Sequence, residues 1–245
     1  MIYFLTSSPY GEDQVSFVKQ SDFVETLKKF WSKPCNVLYI ASFPDTFEIT
    51  DQYAKRHEGI YREAGFQVEN WTVLDYRNSK NVHELIKNAG VIILSGGHCM
   101  TEAKFFEELN LREELKGFDG IIIGVSAGSM NSAETVYAPE EYEEELSDEN
   151  FVRFYPGLGL TKTNIFPHYQ IYKDEVLGGK RMIEDIVCHD SIGHKFYVFC
   201  DGSYVFGDGV TETIHGPYII IEDGKISEEK CDIAFDAIIK VDTGR

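Results

Sequence analysis

Short apolar runs alternate with longer amphipathic stretches through the first half of the chain. Residues 2–6, 37–41, 91–95 and 121–125 are dominated by Ile, Leu, Val, Tyr and Phe, 67–73 carries Val68, Trp71 and Val73, and all five read as strands. The stretches between them, around 17–30, 51–64, 82–87 and 101–115, space Phe, Leu, Ile and Tyr as amphipathic helices do. This βαβα rhythm predicts an α/β fold, a doubly wound and mostly parallel sheet with helices on both faces and right-handed crossovers. Ligands of such sheets gather outside the carboxyl ends of the strands, where residues 95–99 and Ser126 fall.

The pattern changes in the second half. A short strand near 163–166 and a helix from about 174 to 188 are followed by strands over 196–200, 203–206, 211–215 and 218–222. Their close spacing, with Asp201-Gly202, Gly207-Asp208-Gly209 and Asp223-Gly224 between them, predicts C-terminal antiparallel hairpins. No internal repeat, low-complexity tract or flexible linker separates the halves, so residues 1–245 are expected to share one core as a single domain.

The strand at 121–125 runs directly into Gly124-Val125-Ser126-Ala127-Gly128, the G-x-S-x-G pattern of a nucleophile elbow. A serine on a sharp strand-to-helix turn projects its hydroxyl clear of the sheet, and the flanking glycines allow close contacts that a Cβ would obstruct. The Ala127 amide, at the start of the following helix, is placed to donate to an oxyanion. The same five residues also suit a glycine-rich turn with an incidental serine, so the partners of Ser126 have to decide. His168 lies just beyond a short apolar run, in Asn164-Ile165-Phe166-Pro167-His168-Tyr169, where Pro167 ends regular pairing and leaves the imidazole at a sheet edge. Asp201 follows the apolar run 196–200 and suits equally a triad acid and an Asp-Gly hairpin turn. An assignment of Ser126, Asp201 and His215 would match α/β-hydrolase chain order, although His215 before Gly216-Pro217 reads more as turn punctuation. His57, His83, His189 and His194 have polar or helical contexts and read as surface or capping residues.

A second glycine loop, Leu94-Ser95-Gly96-Gly97-His98-Cys99, joins a buried strand to a helix and suits close approach of a backbone amide to a substrate oxygen. It has neither G-x-G-x-x-G spacing nor the lysine of a phosphate-binding loop, so Gly97 is assigned to the oxyanion and His98 to donation toward substrate. Cys99 is an alternative nucleophile, although no lysine or arginine adjoins it in sequence.

The formal charge of −18, from 41 acidic and 23 basic residues, disfavours nucleic acid and anionic membranes as partners. Much of the acidity is concentrated at 140–149, where Glu140, Glu141, Glu143, Glu144, Glu145, Asp148 and Glu149 predict a solvated, mobile segment at the site mouth that repels anionic substrates. Cys35, Cys99, Cys188, Cys200 and Cys231 are widely spaced without a C-x-x-C pair, which suggests neither a disulfide framework nor a zinc knuckle and fits a reducing cytosol. No apolar run approaches the length of a membrane span, and the first residues lack a basic segment, so no export signal is expected.

Taken in order, Leu94-Ser95-Gly96-Gly97-His98, the elbow through Ser129, the His168 motif and Phe199-Cys200-Asp201-Gly202-Ser203 resemble the serine peptidase family that contains dipeptidase E and cyanophycinase. The resemblance covers most of the chain. It implies a fold akin to class I glutamine amidotransferases, with Ser126 as nucleophile, His168 as base, Asp201 as acid, and the Gly97 and Ala127 amides as oxyanion hole. It departs where the family often has Glu at the Asp201 position and where dipeptidase E-like sequences tend to have Asn-Thr in place of His98-Cys99. Aspartyl dipeptidases hold the substrate aspartate with an arginine after the histidine motif. Arg181 is the nearest candidate here, without aligned spacing, so aspartyl specificity does not carry over.

These readings converge on a cytoplasmic serine peptidase that cleaves a peptide or related amide bond of a small peptide through an acyl-enzyme, with no metal or organic cofactor. An esterase or amidotransferase-like hydrolase on the same scaffold and a non-catalytic binding or regulatory protein remain as alternatives. A homodimer is left open as the assembly.

Overall fold

Val91, Ile92, Ile93 and Leu94 are all fully buried, as a strand covered on both faces must be. In the computed structural model, which describes residues 1–229 and 238–241, this strand lies inside an eight-stranded sheet. Its parallel part comprises β1 (Ile2–Thr6), β2 (Cys35–Ile40), β3 (Val68–Leu74), β4 (Val91–Leu94) and β5 (Ile121–Val125), in spatial order β1-β5-β4-β2-β3.

Neighbouring residues on each strand serve opposite layers. Leu5, Leu38, Ile40, Ile92 and Ile122 pack with Ile86 of α3 (Val82–Asn88) and with Phe105 and Phe106 of α4 (Cys99–Glu108). Phe4, Val37, Tyr39, Val91 and Ile93 pack with Phe23 and Leu27 of α1 (Phe23–Phe30) and Ile60 and Tyr61 of α2 (Phe47–Glu63). The period-two alternation therefore builds two cores, and the sheet is doubly wound as expected. Asn110, at φ 51°, ends the predicted 101–115 helix early and separates α4 from α5 (Leu111–Glu114). His57 on α2 is buried and stacked 4.2 Å from Tyr10, which corrects its surface reading.

After α6 (Ala127–Met130), β6 (Thr135–Tyr137) and β7 (Phe154–Pro156) form a two-stranded ribbon. The chain then enters a separate four-stranded sheet ordered β15-β14-β11-β8, comprising β8 (Asn164–Phe166), β11 (Lys195–Phe199), β14 (Tyr218–Glu222) and β15 (Lys225–Glu229). Strands β12 (Tyr204–Gly207), β13 (Glu212–His215) and β16 (Ile238–Val241) instead extend the main sheet beyond β1, with β12 antiparallel to β1. Two predicted hairpins, β12-β13 and β14-β15, are present.

Two connections depart from the hairpin expectation. Asp201-Gly202 and Gly216-Pro217 each carry the chain from one sheet to the other. Gly202 and Gly216 make these exits at φ 92° and 87°, and a Cβ on Gly216 would lie 2.6 Å from Ser203 Oγ. The predicted 174–188 helix is also corrected. Gly178 and Gly179, at φ 57° and 82°, turn a small hairpin between β9 (Val176–Leu177) and β10 (Lys180–Arg181). Helical structure begins only with a π-helical stretch, Met182–Val187, and continues into a single α-helical turn, Cys188–Asp190. Cys231 lies outside the described residues.

Candidate active site

The parallel register brings the carboxyl ends of β1, β4 and β5 to one edge. At the end of β5 the chain reverses at Ser126, whose φ of 52° and ψ of −113° are unusual for a residue with a side chain. Its amide is held by the carbonyls of Ser7 at 2.8 Å and Thr6 at 3.1 Å, beyond the end of β1 and at its last residue. Both elbow glycines have steric reasons. A Cβ on Gly124 would lie 2.8 Å from Ser129 Oγ, and one on Gly128 only 2.4 Å from the Leu94 carbonyl oxygen. The turn thus presses against β4 and leaves the Ser126 hydroxyl outside the sheet.

His168 follows β8 and Pro167 and adopts a left-handed conformation, φ 59° and ψ 39°. Its Nε2 lies 2.8 Å from Ser126 Oγ and its Nδ1 lies 2.8 Å from Asp201 Oδ1. The Asp201 carboxylate can only accept, which assigns the proton to Nδ1 and leaves Nε2 to accept from the serine hydroxyl. Asp201 stands in the crossover between sheets, fixed by its amide donating to Gln170 Oε1 at 3.1 Å and by the Gly202 amide donating to the Ser8 carbonyl at 2.7 Å. His215 is elsewhere, its Nδ1 within 3.0 Å of both Asp22 and the Tyr204 hydroxyl, so the Ser126, Asp201, His215 grouping is not formed.

Ser7 escaped the sequence reading. Its buried hydroxyl donates to Asp201 Oδ1 at 2.6 Å and accepts the His168 amide at 2.8 Å, joining Asp201 and His168 through one atom. The available signal was the polar pair Ser7-Ser8 directly after β1, at the edge where the parallel strands end.

The Gly97 loop closes the other side. Ser42 Oγ donates to the Gly96 carbonyl at 2.7 Å, and a Cβ on Gly97 would lie 2.4 Å from that same hydroxyl oxygen. A Cβ on Gly96 would lie 3.2 Å from Ser126 Cβ, so the loop backbone runs directly beside the serine. Among the described residues, neither the Gly97 nor the Ala127 amide donates to a protein acceptor. Because α6 is a single turn, the Ala127 amide itself, not the dipole of a long helix, is what a substrate oxygen would meet.

The remaining nominated residues lie in other arrangements. His98 directs Nδ1 to Thr101 Oγ1 at 2.8 Å and Nε2 to Glu145 Oε1 at 3.0 Å, so both ring nitrogens are engaged within the chain. Arg181 is exposed on β10 and its guanidinium grips Asp185 at 3.0 Å. Cys99 is fully buried with Sγ 3.2 Å from the Tyr155 hydroxyl, and burial pushes its thiol well above the ordinary range, so it supplies no thiolate.

The acidic segment is only partly the solvated stretch expected of its charge. Glu143, Glu144, Asp148 and Glu149 are exposed, but Glu140 is buried against Arg153. Glu145 Oε2 accepts the amides of Glu141 at 2.7 Å and Tyr142 at 3.1 Å, while its other oxygen meets His98. Glu141 Oε1 accepts the Cys99 amide at 3.3 Å. Hydrogen bonding to His98 and to the Glu141 and Tyr142 amides offsets the partial burial of Glu145, a possibility that a count of charges cannot reveal. The cleft beside Ser126 is lined by Gly97, Met130, Glu140, Glu141, Phe166 and Tyr172, among others. A larger cavity of about 400 Å³, bordered by Lys104, Arg112 and Tyr155, does not reach Ser126.

Among the described residues no helix is long and apolar enough to cross a membrane. Known proteins share this architecture. A solved peptidase from an acI-B1 Actinobacterium matches with a TM-score of 0.66 and 15% identity, covering 98% of this chain and 96% of that one. A solved protein of Listeria monocytogenes EGD-e matches with a TM-score of 0.56 and 18% identity, over 87% and 96% of the two chains. Peptidase E of Nostoc sp. (strain PCC 7120 / SAG 25.82 / UTEX 2576) is 23% identical over 171 residues, 66% of this chain and 62% of the relative's own length. At such identities the structural likenesses establish the fold alone. The profile of Peptidase family S51, however, matches residues 4–211, most of the chain, and the protein therefore belongs to that family.

Proposed function

We propose that this S51 family member is a serine peptidase that hydrolyses a peptide or related amide bond of a small peptide through an acyl-enzyme. The observation that carries the reading is the continuous relay from Ser126 Oγ to His168 Nε2 and from Nδ1 to Asp201, each contact at 2.8 Å. Ser126 attacks the scissile carbonyl carbon while His168 removes the hydroxyl proton, and Asp201 stabilises the imidazolium and holds its orientation. The carbonyl oxygen, now an anion, takes the amides of Gly97 and Ala127 as donors. Collapse breaks the C–N bond as His168 returns the proton to the leaving amine. Water then attacks the acyl carbon as His168 takes one of its protons, and the ester C–O bond breaks as His168 hands that proton to Ser126 Oγ, releasing the acid and restoring the starting state. Every proton in the cycle moves through side chains of this chain.

The free thiols Cys35, Cys99, Cys188 and Cys200 support placing this activity in a reducing cytosol. The test is labelling with a fluorophosphonate followed by peptide mapping, together with turnover of a dipeptide panel and of simple esters. Label is expected on Ser126, and Ser126→Ala is expected to abolish both label and peptide hydrolysis with the thermal transition kept. Turnover of esters without peptides would reassign the chain to an esterase, and absence of label with an intact fold would remove the serine mechanism.

A further inference from the structure

The charged side chains lining the cleft are carboxylates. Glu140 and Glu141 border it beside Ser126, with Met130, Pro139, Phe166 and Tyr172 supplying apolar surface, and no lysine or arginine is among its described lining residues. Arg181, which could have neutralised an acidic substrate, is spent on Asp185 and Glu184 at the surface. Glu141 receives one long hydrogen bond, 3.3 Å from the Cys99 amide, and so retains most of its accepting capacity. Burial pushes its carboxyl above the ordinary range, against the opposing pull of His98 and the Cys99 amide, so its charged form is short of compensating donors. Glu140 provides an independent sign. It is 2% exposed, and although one oxygen meets Arg153, Oε2 is buried and has no hydrogen-bond partner among the described residues. A buried carboxylate oxygen left unpaired is costly, and a donor delivered by a ligand would remove that cost.

Building on the serine-peptidase reading, we propose that Glu140 and Glu141 form a subsite for a positively charged nitrogen of the substrate, so that the enzyme selects peptides carrying a cation close to the scissile carbonyl and rejects acidic ones. The ligand chemistry is an N–H donor cation on an apolar stem. The carboxylates receive the charge, and Met130, Phe166 and Tyr172 receive the methylenes. Two groups of a small peptide have this chemistry, the α-ammonium of an N-terminal residue and the side-chain cation of lysine or arginine. Either would approach Glu141 while its carbonyl faces Ser126. An aspartyl side chain would bring a third carboxylate to the same cleft, and like charges in a partly desolvated site repel strongly.

The experiment compares kcat/KM for Lys-Leu, Ala-Leu and Asp-Leu, each with a free and an acetylated N-terminus, in wild type and Glu141→Gln. Fluorophosphonate titration of Ser126 counts the competent sites in both proteins. Wild type is expected to favour Lys-Leu over Asp-Leu, or free over acetylated peptides, by at least about tenfold, the scale of one charged contact. The first preference identifies the side-chain cation and the second the α-ammonium. In Glu141→Gln that preference is expected to collapse, mainly through KM, with labelling of Ser126 retained. The proposal is overturned if wild type shows neither preference, if Glu141→Gln keeps it unchanged, or if the variant loses activity equally on all six substrates. Calorimetric binding of lysinamide, leucinamide and aspartamide to Ser126→Ala with and without Glu141→Gln needs no turnover. It isolates the subsite from the chemistry: tight binding of the cations that depends on Glu141 supports the subsite even if the peptidase reading fails, and equal weak binding of all three overturns it.

Discussion

Ser126 occupies φ 52° and ψ −113°, a region that costs a residue with a Cβ roughly 1–3 kcal/mol. Glycine would relieve that strain and alanine would not, so a gain of about 1 kcal/mol, net of glycine's greater unfolded-state freedom, is expected to place the Ser126→Gly transition about 2–4 °C above that of Ser126→Ala, with both inactive. Equal melting temperatures in calorimetry would show an unstrained elbow. Asp201 accepts the Nδ1–H of His168, the proposed base, and Asp201→Asn would present a donor there and disfavour the tautomer that mechanism needs. By analogy with other triads, its kcat is expected to fall on the order of 10³ to 10⁴ with KM little moved, while Asp201→Glu keeps substantial turnover. A near wild-type rate in Asp201→Asn, with His168→Ala dead, would place the acid elsewhere. Ser7→Ala removes a hydroxyl that binds both the acid and the His168 amide. The loss of a hydrogen bond to a charged group, ~1.5–3 kcal/mol, corresponds to a fall in kcat of about tenfold to a hundredfold, and an unchanged kcat would make Ser7 mere packing. Ser126, His168 and Asp201 stand in local motifs that a linear sequence displays. Ser7 has no motif, because its role exists only once β1 lies beside β5 and the crossover at Asp201 folds over both.

At the level of elements, buried strands were the most legible feature, since an uninterrupted apolar run such as Val91–Leu94 has few alternatives once helices flank it. Where glycine sets the geometry the reading was weaker. Val176, Leu177, Met182, Ile183 and Ile186 carry spacing compatible with a helix, yet Gly178 and Gly179 in the left-handed region reverse the chain between them. Hairpins and sheet exchanges share the same turn residues, so Asp201-Gly202 could not disclose that its two strands pair with different neighbours. Packing constraints at the elbow are sharper than composition suggests. Gly128→Ala would force a methyl to within 2.4 Å of the Leu94 carbonyl oxygen, a backbone atom that cannot swing aside. Overpacking of this kind costs about 1–3 kcal/mol, and separation of α6 from β4 should also displace the Ala127 amide. The expected result is a lower Tm together with a lower kcat per folded molecule, and an unchanged Tm would mean that the two elements have slack.

Across the whole molecule, two buried titratable groups outside the relay shape stability against pH. His57 lies between aromatic rings and burial lowers its pKa to about 3 from an ordinary value of about 6.5. The unfolded chain takes up that proton first, so stability present above about pH 6.5 is lost as pH falls toward 3. Glu102 acts in the opposite direction. It is fully buried with Oε2 accepting from Asn131 and Oε1 without a partner among the described residues, and burial raises its pKa well above the usual range, so its contribution is complete below about pH 4.5 and is lost as pH rises. Glu102→Gln should therefore raise Tm at pH 8 more than at pH 5, and His57→Gln should flatten the acid side of the profile. Parallel Tm curves for variant and parent would remove either group from the account. Neither group was legible in sequence, because burial is a property of the assembled layers, and the same holds for the paired carboxylates within the 140–149 segment. The division of the strands has a further consequence. Ser126 leaves the main sheet while His168 and Asp201 leave the smaller one, so the 2.8 Å contact between Ser126 Oγ and His168 Nε2 spans the two and measures how they are seated on each other. Activity is then a vernier for inter-sheet alignment, failing when the seam slips by a fraction of an ångström, well before either sheet gives up a single ladder bond.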